Sequence, residues 1–206
     1  MCGRNLVALV VVLALSGCGE TTPAGIRVAD VEVHSRAVHR DMAVKVVVPP
    51  GGGRRPLLVF LHGRSGDEGS YVHEPFLNAL KALGPRAPVV AFPDGDDDKY
   101  WHDRASGDWG RYVMREVIPQ VTREFGTDRR RVAIGGISMG GFGALDLARL
   151  HPGRFCAVGG HSPALWRSGG ETAPGAFDDA DDFARHDVVA SAGRLTGLVL
   201  RRRDVT

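Results

Sequence analysis

The run Gly136-Ile137-Ser138-Met139-Gly140 offers the clearest chemistry in this 206-residue chain. It follows the apolar segment Val132-Ala133-Ile134-Gly135 and opens a helix-like stretch that reaches Leu150. A serine caught on a sharp strand-to-helix turn projects its hydroxyl from the top of a parallel sheet, and glycines on either side let the backbone turn without steric clash. Ser138 is therefore the candidate nucleophile. The pattern alone is weak in a chain with 28 glycines, so its context carries the reading. Gly141-Phe142-Gly143-Ala144 supplies small residues where a helix packs closely on a sheet, and the helix stops at His151-Pro152.

Attack by a serine on a carbonyl needs donors for the developing oxyanion and a base for the proton. His62-Gly63-Arg64 follows an apolar run at 56–61, at the end of a strand where a backbone N–H can face a substrate oxygen. The expected oxyanion donors are the N–H groups of Arg64 and Met139, each worth roughly 2.7–4 kcal/mol in the transition state. His62 precedes the nucleophile and ends a core strand, so it reads as shaping the loop by hydrogen bonding, and His161 in Gly160-His161-Ser162-Pro163 reads the same way. Trp101 and Trp109 sit on a long loop at the same edge, where their indoles either line an acyl or aromatic-ester pocket or simply pack the loop.

The elements that must position these groups follow from hydrophobic period. Alternation at 26–33 and 42–48 predicts two antiparallel edge strands. Strands at 56–61, 88–92, 132–135 and 156–159 then alternate with helices at 74–83, 110–125 and 136–150. That order implies an α/β fold, a mostly parallel sheet with helices on both faces. Right-handed crossovers bring the loops 62–71 and 93–109 and the serine turn to one edge. The acidic clusters at 94–98 and 178–182 invite a calcium reading, but their spacing does not match the twelve-residue calcium loop, and both read as solvated loops.

Around these residues the chain resembles the esterase family that includes esterase D, feruloyl esterases and the antigen 85 mycolyltransferases. The resemblance spans roughly 44–166. It rests on Val59-Phe60-Leu61-His62-Gly63, Phe92-Pro93-Asp94-Gly95, the pairs Tyr100-Trp101 and Asp108-Trp109, Glu116-Val117-Ile118-Pro119, and the serine turn continued through Ala144. It implies an α/β-hydrolase fold, an acyl-serine intermediate, and transfer of the acyl group from a small-molecule or glycolipid ester to water or a sugar hydroxyl. No cofactor and no metal are implied.

In that fold the catalytic acid and then the histidine follow the nucleophile after further strands. Gly197-Leu198-Val199-Leu200 is a candidate acid-bearing strand, but it runs into Arg201-Arg202-Arg203-Asp204, and the last histidine, His186, precedes it. The domain 26–206 is thus expected to be incomplete at its C-terminus, lacking the last strand-helix unit and impaired in catalysis. A non-catalytic surface lipoprotein that binds an ester, glycan or protein in the same cleft is the alternative.

Arg4 precedes an apolar run at 6–15, too short to span a bilayer and suited to a signal peptide. The run ends in Leu15-Ser16-Gly17-Cys18, which resembles a lipoprotein lipobox. The expectation is a signal peptide at 1–17, lipidation of Cys18, a tether at 18–25, and a domain anchored to the outer face of a bacterial cell membrane. Net charge is +2 with basic residues scattered along the chain, which gives no reason to expect a nucleic-acid partner. Cys156, in the apolar run Phe155-Cys156-Ala157-Val158, reads as a buried structural thiol.

Overall fold

The computed structural model describes residues 25–195. The expected signal peptide, Cys18, most of the tether, the strand at 197–200 and Asp204 lie outside the described residues.

Strand β1 (Arg27–Ser35) forms a hairpin with β2 (Arg40–Val48), pairing Val31 with Val44 and Val33 with Met42. Both strands alternate strongly enough to face the core on one side. Of these two strands only β1 is at an edge, because β2 also pairs antiparallel with β4 (Val89–Pro93). Strand β3 (Leu57–Leu61) lies parallel between β4 and β7 (Val132–Ile137), and β8 (Ala157–His161) adds parallel to β7. The six-stranded order is β1-β2-β4-β3-β7-β8. Two short strands, β5 (Asp103–Arg104) and β6 (Gly107–Asp108), make a separate hairpin in the loop after β4.

Helices cover both faces. On one, α1 (Glu74–Ala82) packs Leu77 and Leu80 with Val47, Val90 and Phe92. On the other, residues 109–124 and α4 (Met139–Leu150) share a core with Val44, Val59, Leu61 and Ile134. The alternation Leu57/Leu58/Val59/Phe60/Leu61 feeds the two cores in turn, so β3 is apolar at every position. A short helix, α5 (Ala180–Arg185), follows β8.

The helix expected at 110–125 is interrupted. Residues Trp109–Arg111 form one turn, α2, residues Tyr112–Val117 form a wider π turn, and α3 (Ile118–Glu124) completes it. Ile118 N–H reaches back five residues to Val113 O. Pro119, lacking an N–H and crowding the carbonyl four residues back, is the physical reason for the widened turn.

Strand β8 departs from expectation in its surroundings. Only Val158 is half-buried and the other four positions are exposed, and Cys156 just before it is exposed as well. Apolar residues flank Cys156 on both sides, yet no described element covers this edge, so the thiol faces solvent.

Candidate active site

The serine turn joins β7 to α4. Ser138 adopts φ 51° and ψ −113°, a conformation an L-residue keeps only when its surroundings hold it there. Three backbone bonds do so: Ser138 N–H donates to His161 O at 3.0 Å, and Ser138 O accepts from Phe142 and Ala164 N–H, each at 3.0 Å. Both flanking glycines are required by close approach. A Cβ at Gly140 would sit 2.0 Å from Leu61 O, and one at Gly136 would sit 2.4 Å from the Gly140 carbonyl. The sharpness of the turn leaves Ser138 exposed at the C-terminal edge of the parallel strands.

The loop after β3 lies against this turn, since a Cβ on Gly63 would be 3.6 Å from Ser138 Cβ. Met139 N–H opens α4, and Arg64 N–H follows Gly63. Neither donates to an intramolecular acceptor among the described residues.

His62 holds the loop in shape. Its Nε2 accepts from Gly95 N–H at 2.8 Å, which places the proton on Nδ1, and Nδ1–H donates to Gly63 O at 2.8 Å. Both ring nitrogens are engaged and the ring is 2% exposed, so His62 has no lone pair for the serine proton. Ser65 N–H adds a bond to Asp97 O at 2.9 Å.

Trp101 and Trp109 do not line a cleft. Both indoles are buried in the core. Trp101 fills the space left by Gly95 and Gly143, where a Cβ would come within 2.4 Å of it, and its Nε1–H donates to His62 O at 3.2 Å. Trp109 packs on Tyr112 with the Arg40 guanidinium over its ring. The loop carries too few aliphatic residues to bury itself, so its aromatics turn inward.

Sequence reasoning missed a buried polar network on the far half of α4. Asp146 pairs with Arg149 at 2.6 Å and with His186 Nδ1 at 2.8 Å. Asp182 pairs with His102 Nε2 at 3.1 Å, and the His102 and His186 rings lie tilted against each other with centroids 4.5 Å apart. Asp182 is fully buried, so the solvated-loop reading fails at this position of the 178–182 cluster. Its carboxyl is held below the usual range despite burial, by the Asp178 N–H and the nearby imidazole. Burial, reinforced by neighbouring His186, pushes the His102 imidazole below its ordinary value. An available signal was the Asp146/Arg149 pair, three apart on an otherwise apolar helix. Asp146 lies about 12 Å along the helix from Ser138, so His186 serves this network and not the serine. A cavity of about 190 Å³ lies beside it, bounded by His102, Asp146, Leu147, Leu150 and His186.

Comparison with known proteins agrees with this geometry. The model of the Putative esterase family matches residues 35–198. The chain is 28% identical over 145 residues to Esterase Rv1288 of Mycobacterium tuberculosis, covering 64% of this chain and 31% of that protein. It is 27% identical over 188 residues to the S-formylglutathione hydrolase of Paracoccus denitrificans, covering 74% of this chain and 64% of the relative. The chain thus spans about a third to two thirds of the length of these relatives. Among solved structures, an S-formylglutathione hydrolase from Agrobacterium tumefaciens superimposes with a TM-score of 0.65 at 20% identity, over 84% of this chain and 70% of that one. MPT51 of Mycobacterium tuberculosis superimposes at 0.60 with 22% identity, over 82% and 69%. The fold is that of the α/β-hydrolases, and the chain belongs to the Putative esterase family.

Proposed function

We propose that this chain is an exported, membrane-tethered serine esterase or acyltransferase acting on carboxylic esters through an acyl-serine intermediate. The observation that carries the reading is Ser138 itself: exposed, held at positive φ, and flanked by the uncommitted N–H groups of Arg64 and Met139. Ser138 Oγ would add to the ester carbonyl, its proton leaving to a base. The carbonyl oxygen would become an oxyanion held by the two N–H groups. Collapse would expel the alcohol and leave an acyl-Ser138 ester, which water or a sugar hydroxyl would cleave to restore the serine. Names among the similar proteins support ester chemistry: esterases, S-formylglutathione hydrolases and ferulic acid esterases. A glycolipid donor or acceptor follows from the mycolyltransferase resemblance, and the tether at 18–25 and acylation of Cys18 follow from the lipobox-like run that ends at Cys18.

Among the described residues no imidazole pairs with Ser138 Oγ, and His62, His102 and His186 are all committed elsewhere. We expect impaired turnover in these 206 residues, sustained by the oxyanion donors and binding, roughly 10³–10⁴ over the uncatalysed reaction. The same observation favours a second reading, a surface lipoprotein that binds an ester, glycan or protein in the cleft without turnover. Hydrolysis of a p-nitrophenyl ester by the full chain and by Ser138→Ala separates the two. Slow turnover that vanishes in the variant supports the esterase. Turnover equal in both, or binding without turnover in both, removes it.

A further inference from the structure

Several arginines that lie scattered along the sequence are gathered by the fold at one end. Strands β3, β4, β7 and β8 run parallel, so the turns that feed them meet at the pole opposite Ser138. Backbone bonds knit these turns together: Leu57 N–H to Arg131 O at 3.0 Å, Val89 N–H to Pro56 O at 2.9 Å, and Asp128 N–H to Arg55 O at 2.8 Å. They carry exposed Arg54 and Arg86 and the exposed triplet Arg129, Arg130 and Arg131. Strand β1 starts at the same pole, because it is antiparallel to β2 and β2 is antiparallel to β4. It brings Arg27, whose guanidinium lies 5.4 Å above the Phe125 ring at the end of α3. The last turns of α1 and α3 add Lys81 and Arg123, and Arg154 precedes β8.

None of these nine cations pairs with a carboxylate among the described residues, whereas Arg40, Lys45, Lys99, Arg104, Arg111 and Arg185 all do. The polar turns themselves hold Glu124 and Asp128, and the Asp128 carboxylate is already bonded to Arg130 N–H at 3.0 Å. At the Ser138 end the balance reverses: residues 62–73 and 93–109 carry eight carboxylates against three cations. A net charge of +2 therefore conceals two poles of opposite sign. Helix C-termini favour cations on their own account, which explains Lys81 and Arg123 but not the arginines of the turns.

We infer that the arginine pole is a docking surface for an anionic lipid bilayer. The choice of a bilayer over other polyanions rests on the proposed anchor, because the chain enters at this pole: a Cβ on Gly25 would lie 4.0 Å from Pro50, in the turn before Arg54. A tether of residues 18–25 extends at most about 28 Å, so a lipid on Cys18 keeps these cations at the membrane and turns Ser138 toward the aqueous side. One lipid signal joined to a basic surface is the pairing that makes peripheral attachment stable.

The test uses the full chain as Cys18→Ser, so that failure of the lipidation reading leaves it intact. Sedimentation is measured with vesicles of phosphatidylcholine alone and of equal parts phosphatidylcholine and phosphatidylglycerol. Any contribution of the apolar leader is common to both. Stronger binding to the anionic vesicles, weakened by salt, is expected. The triple substitution Arg129→Gln/Arg130→Gln/Arg131→Gln is expected to weaken it by about tenfold or more. The matched triple Arg36→Gln/Arg64→Gln/Arg167→Gln, away from the pole, is expected to leave it within about twofold. Equal binding to both vesicle types, equal losses in the two triples, or tighter binding to duplex DNA than to anionic vesicles at the same salt would overturn the inference.

Discussion

Strands β4 and β8 both belong to the parallel run of the sheet, yet β4 is buried at all five of its positions and β8 at none. The difference is cover. Strand β4 lies between β2 and β3, with α1 on one face and residues 109–124 on the other, whereas among the described residues β8 is bounded by β7 alone. Ser138 stands at the junction of the two regimes. From the β3 side it receives a tightly packed turn and a loop braced by His62 and Trp101. From the β8 side it receives one backbone acceptor, His161 O, and a contact from Ala164 N–H. The lesson is that the backbone geometry of a strand-to-helix turn and the cover of the strand beside it are built by different parts of an α/β sheet, and the first can be tight where the second is sparse.

The comparison can be broken most severely on the packed side. Gly140→Ala would drive a methyl group onto Leu61 O, where neither backbone can yield, and is expected to cost about 4 kcal/mol or more. Loss of a cooperative unfolding transition in circular dichroism checks it; a variant that melts like the parent would show that the turn is looser than described. Next comes the network that ties the segment after β8 to α4. Asp146→Ala strands the buried His186 and Arg149 without their carboxylate and should cost about 3–5 kcal/mol in urea unfolding. A loss below about 1 kcal/mol would mean the segment is scarcely docked.

A smaller effect is expected from pH. Burial holds His102 below its ordinary value, and His151 is lowered by burial and by Arg115 and Arg154. The unfolded chain takes up these protons first as pH falls through about 6.5, so stability is highest above that point and declines below it. The decline is bounded by about 1.4 kcal/mol per pH unit for each imidazole and ends where the folded imidazole itself protonates. His34, raised by Asp41, acts in the opposite direction, so the urea midpoint is compared at about pH 7.5 and about pH 5.5 in a His34→Gln background. A midpoint that is constant or rises on acidification would contradict the burial of these rings. The smallest effect belongs to the uncovered side: Cys156→Ser should change stability by less than about 0.5 kcal/mol, and the native thiol should react with a maleimide in the folded chain.

Local pattern made the frame readable. Strand positions emerged within a residue or two because alternation at Met42, Val44 and Val46 and the unbroken run from Leu57 to Leu61 depend only on the chain's own period. The serine turn was readable for the same reason, since Gly136 and Gly140 are demanded by contacts within a few residues and with one neighbouring strand. What eluded sequence was whatever depends on distant cover. Cys156 looked buried because its neighbours are apolar, Asp182 looked solvated because its neighbours are acidic, and for Trp101 and Trp109 on their loop pocket lining and loop packing could not be told apart. In each case what decides it is remote: no described element over β8, His102 over Asp182, and Gly95 with Gly143 around Trp101. The arginine pole escaped notice likewise, because only the parallel topology brings Arg27, Arg54, Arg86 and Arg129 to one end.

We propose Ser138 as a nucleophile, with the N–H groups of Arg64 and Met139 as its oxyanion donors. Its most direct test is to incubate the full chain with a fluorophosphonate and map the adduct by peptide mass spectrometry. The account predicts phosphonylation of Ser138, slow because no base is paired with it among the described residues, and no adduct in Ser138→Ala. An adduct on another residue, or labelling that survives the substitution, would contradict it.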